Sequence, residues 1–180
     1  RQPACTGMAL RRREETALWQ SAGTPARVRR HCEMVSSVSM SLGLALAGRG
    51  LKVNVPLLRG AALFHDVCRH EKDHAAAGAT FLEHNGFSRL ARIASGHRDL
   101  PANAPIEARI VHLADKVVKD TSLVSLEERM EMMRSVYGED PIAWRSIREK
   151  FARARRTSRM IERATGLDLH NLLKFRGKDI

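Results

Sequence analysis

The sequence AALFHDVCR, at residues 61–69, contains an adjacent histidine and aspartate, His65 and Asp66, at the end of an apolar stretch. Asn54 is a typical N-cap, and the spacing after it predicts a helix from Val55 to about Arg69. Neighbouring side chains on a helix point about 100° apart, so both groups can reach one ion only at the edge of the buried face. An imidazole nitrogen beside a carboxylate oxygen is a ligand set that suits divalent Mn, Fe, Co, Ni or Zn.

The rest of the chain is also helical in pattern. Apolar residues recur at helical spacing, whereas strand-like alternation is missing, and the Asn85-Gly86 pair ends a predicted helix instead of joining two strands. Thr24 is expected to cap a helix that Pro25 opens. Turn and cap residues predict further helices at about 11–20, 25–48, 75–84, 88–97, 106–119, 126–137 and 141–165. We therefore expect an all-α helical bundle of about six to eight helices, with the tail after Gly166 unassigned.

Two more groups on predicted helices can join His65 and Asp66. His31 lies in the preceding helix, on the same stripe as Val35. Asp115 lies among apolar residues in the segment HLADK. A buried carboxylate without a partner is costly, and a metal ion would supply the partner.

The order His31, then His65 and Asp66, then Asp115 resembles the HD superfamily of metal-dependent phosphohydrolases. The resemblance extends over about residues 27–119. It implies an HD-domain helical bundle in which these four residues hold metal and a metal-activated hydroxide cleaves a phosphate ester or anhydride. A purely structural role for the four residues is the alternative.

Two more histidines extend this resemblance. Some HD branches place two histidines between the HD pair and the last aspartate, where they bind a second metal that the HD aspartate bridges; here these are His74 and His97. The resemblance thus implies one or two ions and assigns catalytic roles to Asp66, His74 and His97. With one ion, His74 or His97 would serve as general acid or base. His70, four residues before His74, is a reserve ligand.

Other polar residues receive weaker assignments. Surface or capping roles are expected for His84, His112 and His170, and His112 is also a candidate hydrogen-bond neighbour of Asp115. Nearby basic residues can bind substrate phosphates, although each is also explained as a solvated surface charge. The candidates are Arg69, Lys72, Arg98, Lys116 and Lys119.

Finer resemblances point to a nucleotide-like substrate. The stretch from residue 64 to residue 97 resembles HD-type diadenosine tetraphosphate hydrolases, and more closely the HD domains that follow a nucleotidyltransferase domain in some bacterial proteins. The chain does not begin with Met, so we expect it to be part of a longer bifunctional protein. Many members carry Lys three residues after the HD aspartate, where this chain has Arg69. The GYP motif of cyclic-di-GMP phosphodiesterases is absent, which argues against that substrate.

Composition and missing motifs limit the classes of protein to which the chain can belong. The chain has 180 residues and a net charge of +11, which favours an anionic partner. It has no 18-residue apolar run and no apolar segment typical of a secretory signal, so we expect no membrane-spanning helix. Three cysteines without a CxxC motif predict a reducing cytoplasm, with Cys32 and Cys68 buried in the core and Cys5 near the start. A Walker motif, GxGxxG and GxSxG are all missing.

We expect three segments: a basic arm or helix at 1–22, an HD metal-binding core at 23–137, and a basic helix and tail at 138–180 packed on the core. Two other functions stay open. One is a regulatory HD module without catalysis. The other is a nucleic-acid-binding domain that uses the basic helix 145–163. This second alternative is less favoured, because an aromatic stacking platform is lacking and a solvated helix explains the charges.

Overall fold

A computed structural model describes residues 10–174, which fold as a helical bundle. Nine helices form in this part of the chain: α1 (Arg12–Ser21), α2 (Ala26–Ala47), α3 (Val55–Phe64), α4 (His74–His84), α5 (Ser88–Ser95), α6 (Ile106–Val117), α7 (Leu126–Tyr137), α8 (Pro141–Thr165) and α9 (Leu169–Lys174). A two-residue antiparallel pair, β1 (Val118–Lys119) with β2 (Ser122–Leu123), makes a small hairpin after α6. The all-α prediction is confirmed, and the tail that the sequence left unassigned forms α9. The expectations for Cys5 and for the ends of the two terminal segments lie outside the described residues.

Capping side chains begin helices α3, α7 and α8. The Asn54 side chain accepts a hydrogen bond from the Leu57 N–H and begins α3. Ser125 and Glu128 form a capping box at α7, and Asp140 accepts two N–H bonds at the start of α8. Gly166, with φ +74°, ends α8 in the left-handed conformation that glycine adopts without strain.

Helix α2 lies at the centre of the bundle and packs against α3, α6, α8 and α9. Its buried stripe, which includes Val35, Val38 and Leu42, contacts apolar side chains of its neighbours. A Cβ on Gly43 would overlap the Leu58 side chain, so glycine permits the close approach of α2 and α3. Each fully buried aliphatic side chain of this kind contributes about 1.5–3 kcal/mol. The core therefore fixes the relative positions of α2, α3 and α6.

Helix α3 ends earlier than the periodicity predicts. It stops at Phe64, and residues 65–70 form successive tight turns, with hydrogen bonds from Val67 N–H to the Phe64 carbonyl and from Arg69 N–H to the Asp66 carbonyl. The Thr24 hydroxyl donates to the Val67 carbonyl at 2.6 Å and so stabilises this turn. Thr24 therefore does not cap α2, contrary to the prediction; Pro25 occupies the N-cap position. In this turn the two side chains of the HD pair lie close together, with His65 Nε2 3.8 Å from Asp66 Oδ2.

Two further expectations concern burial and membranes. Cys32 and Cys68 are buried free thiols, as predicted. Among residues 10–174, none of the helices combines the length and apolar character needed to cross a bilayer.

Candidate metal centre

The bundle brings all six predicted metal ligands together: five line the floor of one cavity, and the sixth, His65, is fully buried beside them. His31 lies in the first turns of α2, His65 at the end of α3, and Asp66 in the turn after it. His74 begins α4, His97 lies in the turn after α5, and Asp115 lies in the last turn of α6.

The six groups form two clusters. In the first, the Nε2 atoms of His31 and His65 lie 3.4 and 3.6 Å from the same oxygen, Oδ1 of Asp115. In the second, the Nε2 atoms of His74 and His97 lie 3.4 and 3.3 Å from Oδ1 of Asp66. The other oxygen of Asp66, Oδ2, lies 3.8 Å from His65 Nε2. Asp66 thus presents one oxygen to each cluster.

Backbone carbonyls fix the tautomer of three of these histidines. The Nδ1 atoms of His31, His65 and His97 lie 2.9, 2.8 and 2.7 Å from the carbonyl oxygens of Asp120, Ala62 and Ala94. A carbonyl only accepts, so each Nδ1 carries the proton, and in the neutral ring Nε2 keeps a free lone pair. This arrangement is typical of metal-ligating histidines.

The carbonyl that orients His31 belongs to a strained residue. Asp120 follows β1, at the turn of the hairpin, and has φ +55°. Asp tolerates the left-handed region better than most non-glycine residues. The hairpin therefore points a carbonyl at a histidine 89 residues earlier in the chain.

Two buried atoms test whether the clusters fit a metal. Nε2 of His65 and Oδ1 of Asp66 are buried and have no hydrogen-bond partner among the described residues. A buried polar atom without a partner costs free energy, and a nitrogen lone pair that faces carboxylate oxygens is repelled unless a proton or a metal cation lies between them. The ligand atoms within each cluster lie within 4.8 Å of one another. The mixed nitrogen and oxygen donors therefore fit a divalent transition metal.

Both carboxylates are held in the ionised form that metal binding requires. Burial raises the pKa of Asp66, but His65 and His97 lower it further, so the pKa is well below its usual value. Burial also raises the pKa of Asp115. This effect is smaller than the combined lowering by Lys116, His31 and His65, so the pKa of Asp115 is well below its usual value. The Lys116 ammonium lies 2.7 Å from Oδ2 of Asp115.

His74 has a different environment from the other three histidines. Its Nδ1 atom lies 3.1 Å from Nη1 of Arg69 rather than against a carbonyl. Burial lowers the pKa of His74, which favours the neutral imidazole. Arg69 also reaches Asp66, with Nε 3.3 Å from Oδ2. Arg69 therefore contacts the second cluster directly.

A cavity of about 660 Å³ opens above the clusters. Among the candidate phosphate-binding residues, Arg69, Arg98, Lys116 and Lys119 line it. Lys72 is exposed and not part of the lining, and His70 is half-exposed, beside Glu71, and in neither cluster. Three further cationic side chains, which the sequence did not indicate, also line the cavity: Arg27, Arg129 and Lys150. They come from α2, α7 and α8, and no local motif marks them.

The wall opposite the clusters is largely apolar. It consists of side chains from α7 and α8, which meet at the corner between residues 137 and 141. The lining side chains on this side include Met133, Tyr137, Ala143, Ile147 and Phe151. Tyr137 is 43% exposed, so its ring is accessible. The cavity thus combines a charged floor with an apolar, partly aromatic wall.

His112 is fully buried, contrary to the surface role expected for it, and His84 and His170 are exposed as expected. Its Nδ1 atom lies 2.7 Å from the His97 carbonyl and its Nε2 atom 3.1 Å from the Lys150 carbonyl in α8. Burial, together with nearby Lys116, lowers the pKa of His112 to about 4. The neutral ring has one N–H, which donates to one of these two carbonyls, so His112 packs between α8 and the turn that carries His97 rather than bonding to Asp115.

Comparison with known proteins agrees with this geometry. The family model for the HD domain matches residues 28–120, more than half of the chain, and this range includes all six predicted ligands. The chain is also 29% identical over 130 residues to an uncharacterized protein of Methanocaldococcus jannaschii, a match that covers 61% of this chain and 77% of that protein. No solved structure matches the chain significantly. The chain therefore belongs to the HD domain family of metal-dependent phosphohydrolases.

Proposed function

We propose that this protein hydrolyses phosphate esters or anhydrides with two divalent transition-metal ions, held by the two clusters. The observation that carries the proposal is the pair of buried, unpartnered ligand atoms, His65 Nε2 and Asp66 Oδ1, at the centre of six convergent ligands. The cationic side chains around the same cavity suit a phosphorylated substrate.

Metal ions held by these residues would supply an activated water and positive charge for the phosphoryl group. The chain's own residues orient the metal-binding nitrogen atoms and the substrate phosphate. The Nδ1–H bonds of His31, His65 and His97 keep the three Nε2 atoms directed at the clusters. Arg98 and Lys119 are placed to bind phosphate oxygens, Arg through a bidentate fork and Lys as a point charge. If only one ion binds, His74 or His97 becomes the candidate general acid or base.

The apolar wall supports a nucleotide-like substrate. A cavity of about 660 Å³ is much larger than a phosphate group and falls in the range of pockets that bind small organic ligands. Tyr137 and Met133 offer a face on which a planar base can pack. We also propose that the protein acts in the cytoplasm and that its HD core spans residues 23–137. Helix α8, which follows this core, adds Ile147 and Lys150 to the cavity wall.

Replacing Tyr137 by Ala tests the nucleotide-like part of the proposal. We expect KM for a nucleotide substrate to rise about tenfold, because stacking on an aromatic ring is worth about 1–3 kcal/mol per base. Hydrolysis of tripolyphosphate with the same metal should change by less than about twofold, since this anhydride has no planar ring to pack on that wall. Steady-state kinetics with both substrates measure the difference, and an equal loss for both would contradict a role for Tyr137 in base binding.

Metal content tests the hydrolase itself. We expect elemental mass spectrometry of untagged, anaerobically purified protein to find about two transition-metal ions per chain. A chelator should lower the melting temperature and abolish phosphate release from a panel of nucleotides, because ions that bind only the folded state stabilise it by about 2.7 kcal/mol at 100 times Kd. Reloading with Mn²⁺, Co²⁺ or Fe²⁺ should restore both. No bound metal after reloading contradicts the proposal, and bound metal without hydrolysis favours a regulatory HD module.

A further inference from the structure

The solvent face of α8 carries a row of arginines that the proposed hydrolase does not use. We call the following residues the arginine stripe: Arg145, Arg148, Arg156, Arg159 and Arg163, all of which are exposed. At 3.6 residues per turn, these positions fall within about a quarter of the helix circumference. At a rise of 1.5 Å per residue, the stripe is about 27 Å long.

The arginine stripe points away from the metal centre. The opposite side of α8 packs into the core through Phe151, Ala154 and Ile161, and Ile147 and Lys150 on that side line the cavity. The stripe is therefore separated from the cavity by the thickness of the helix, and it cannot hold a small substrate of the metal site.

Most of the stripe is not neutralised within the protein. Arg145 has an acidic partner, Glu149, at 3.5 Å. Within residues 10–174 the other four stripe arginines form no ion pair, whereas Arg155, one position outside the stripe, pairs with Glu127. Like charges three or four residues apart on a helix repel each other. An anionic partner along the stripe would relieve this repulsion.

We infer that the arginine stripe binds the phosphate backbone of duplex nucleic acid, independently of sequence. Guanidinium groups in a straight row suit successive phosphates, to which each can donate two hydrogen bonds. No large apolar side chain is exposed between Arg145 and Arg163. A protein partner would use apolar or aromatic anchors, and a single strand would use stacking rings. A membrane-inserting helix needs a free apolar face, and that face of α8 is buried in the core.

Fluorescence anisotropy with a labelled duplex of about 20 base pairs tests this inference. Each phosphate contact contributes about −0.9 to the slope of log K against log salt, so the four stripe arginines without an internal acidic partner predict a slope of about −3.6. The double variant Arg156→Glu/Arg159→Glu should weaken binding at least tenfold at 100 mM salt and reduce the slope by about 2. Its matched control is Arg89→Glu/Arg92→Glu on α5, two exposed arginines with the same change of charge.

The control pair should keep both the affinity and the slope. Metal-dependent hydrolysis should be unchanged in both double variants, so failure of this inference is distinguishable from failure of the proposed function. Circular dichroism and thermal melts establish that each variant is folded. Equal losses in both pairs, tighter binding to a single strand than to a duplex, or binding to anionic vesicles in place of the duplex would overturn the inference.

Discussion

The variant Asp66→Asn is expected to lose metal-dependent hydrolysis by about 10³-fold, which corresponds to about 4 kcal/mol of transition-state stabilisation. The reason is that the two oxygens of Asp66 face different clusters: Oδ1 faces His74 and His97, and Oδ2 faces His65. An amide keeps one oxygen and replaces the other with an NH₂ group, which donates hydrogen bonds and does not ligate a cation. One substitution of nearly equal size therefore weakens both sites.

Metal content and steady-state kinetics, measured on the same preparation, test this prediction. We expect fewer than one ion per chain in Asp66→Asn, together with the loss of activity. Asp73→Asn is the matched control, because Asp73 is exposed, lies seven residues away and makes no capping hydrogen bond at α4. The control should keep its metal and its rate. An Asp66→Asn protein with two ions and a normal rate would show that Asp66 is not a ligand.

The variant His112→Ala is expected to lower the free energy of unfolding by about 3 kcal/mol. The imidazole is fully buried between the carbonyls of His97 and Lys150, and its one N–H donates to one of them. Alanine leaves a cavity between α6 and α8 and leaves that carbonyl without its partner. Buried polar groups that lose their partners cost about 1–3 kcal/mol, and the cavity adds to this.

Thermal and urea denaturation measure this loss. For a chain of this size the melting temperature should fall by about 6–12 °C. His84→Ala is the control, since His84 is exposed in α4, and its effect should stay within about 0.5 kcal/mol. If both variants unfold at the same denaturant concentration, the two carbonyl contacts of His112 do not contribute to stability.

The sequence predicted the helices well because local signals define them. Asn54, Ser125, Asp140 and Gly166 cap or end helices where the pattern placed these boundaries. The helical positions of His31 and Asp115 followed from the same periodicity. Local sequence therefore contains most of the information for an all-α bundle, including which helices carry the ligands.

The features that the sequence did not predict have a common cause, which is contact between distant parts of the chain. Helix α3 stops before the HD pair. The turn that follows is stabilised by the Thr24 hydroxyl, which donates to the carbonyl of Val67, 43 residues later in the chain. His112 was expected at the surface, but its partners lie 15 and 38 residues away. The cavity cations Arg129 and Lys150 belong to helices beyond the HD motif. None of these contacts leaves a pattern in neighbouring residues.

The hydrogen bond from His31 to the Asp120 carbonyl has a consequence for how the protein acquires metal. This bond closes a loop of 89 residues, and the first cluster joins α2 to the end of α6. Closing so long a loop is entropically costly, and the core must form before the ligands can meet. During translation, a growing chain that ends before Asp120 lacks the carbonyl that orients His31. Metal loading is therefore expected to follow synthesis and folding of the whole HD core, and the choice of metal to depend on folded geometry and on the ions present at that stage.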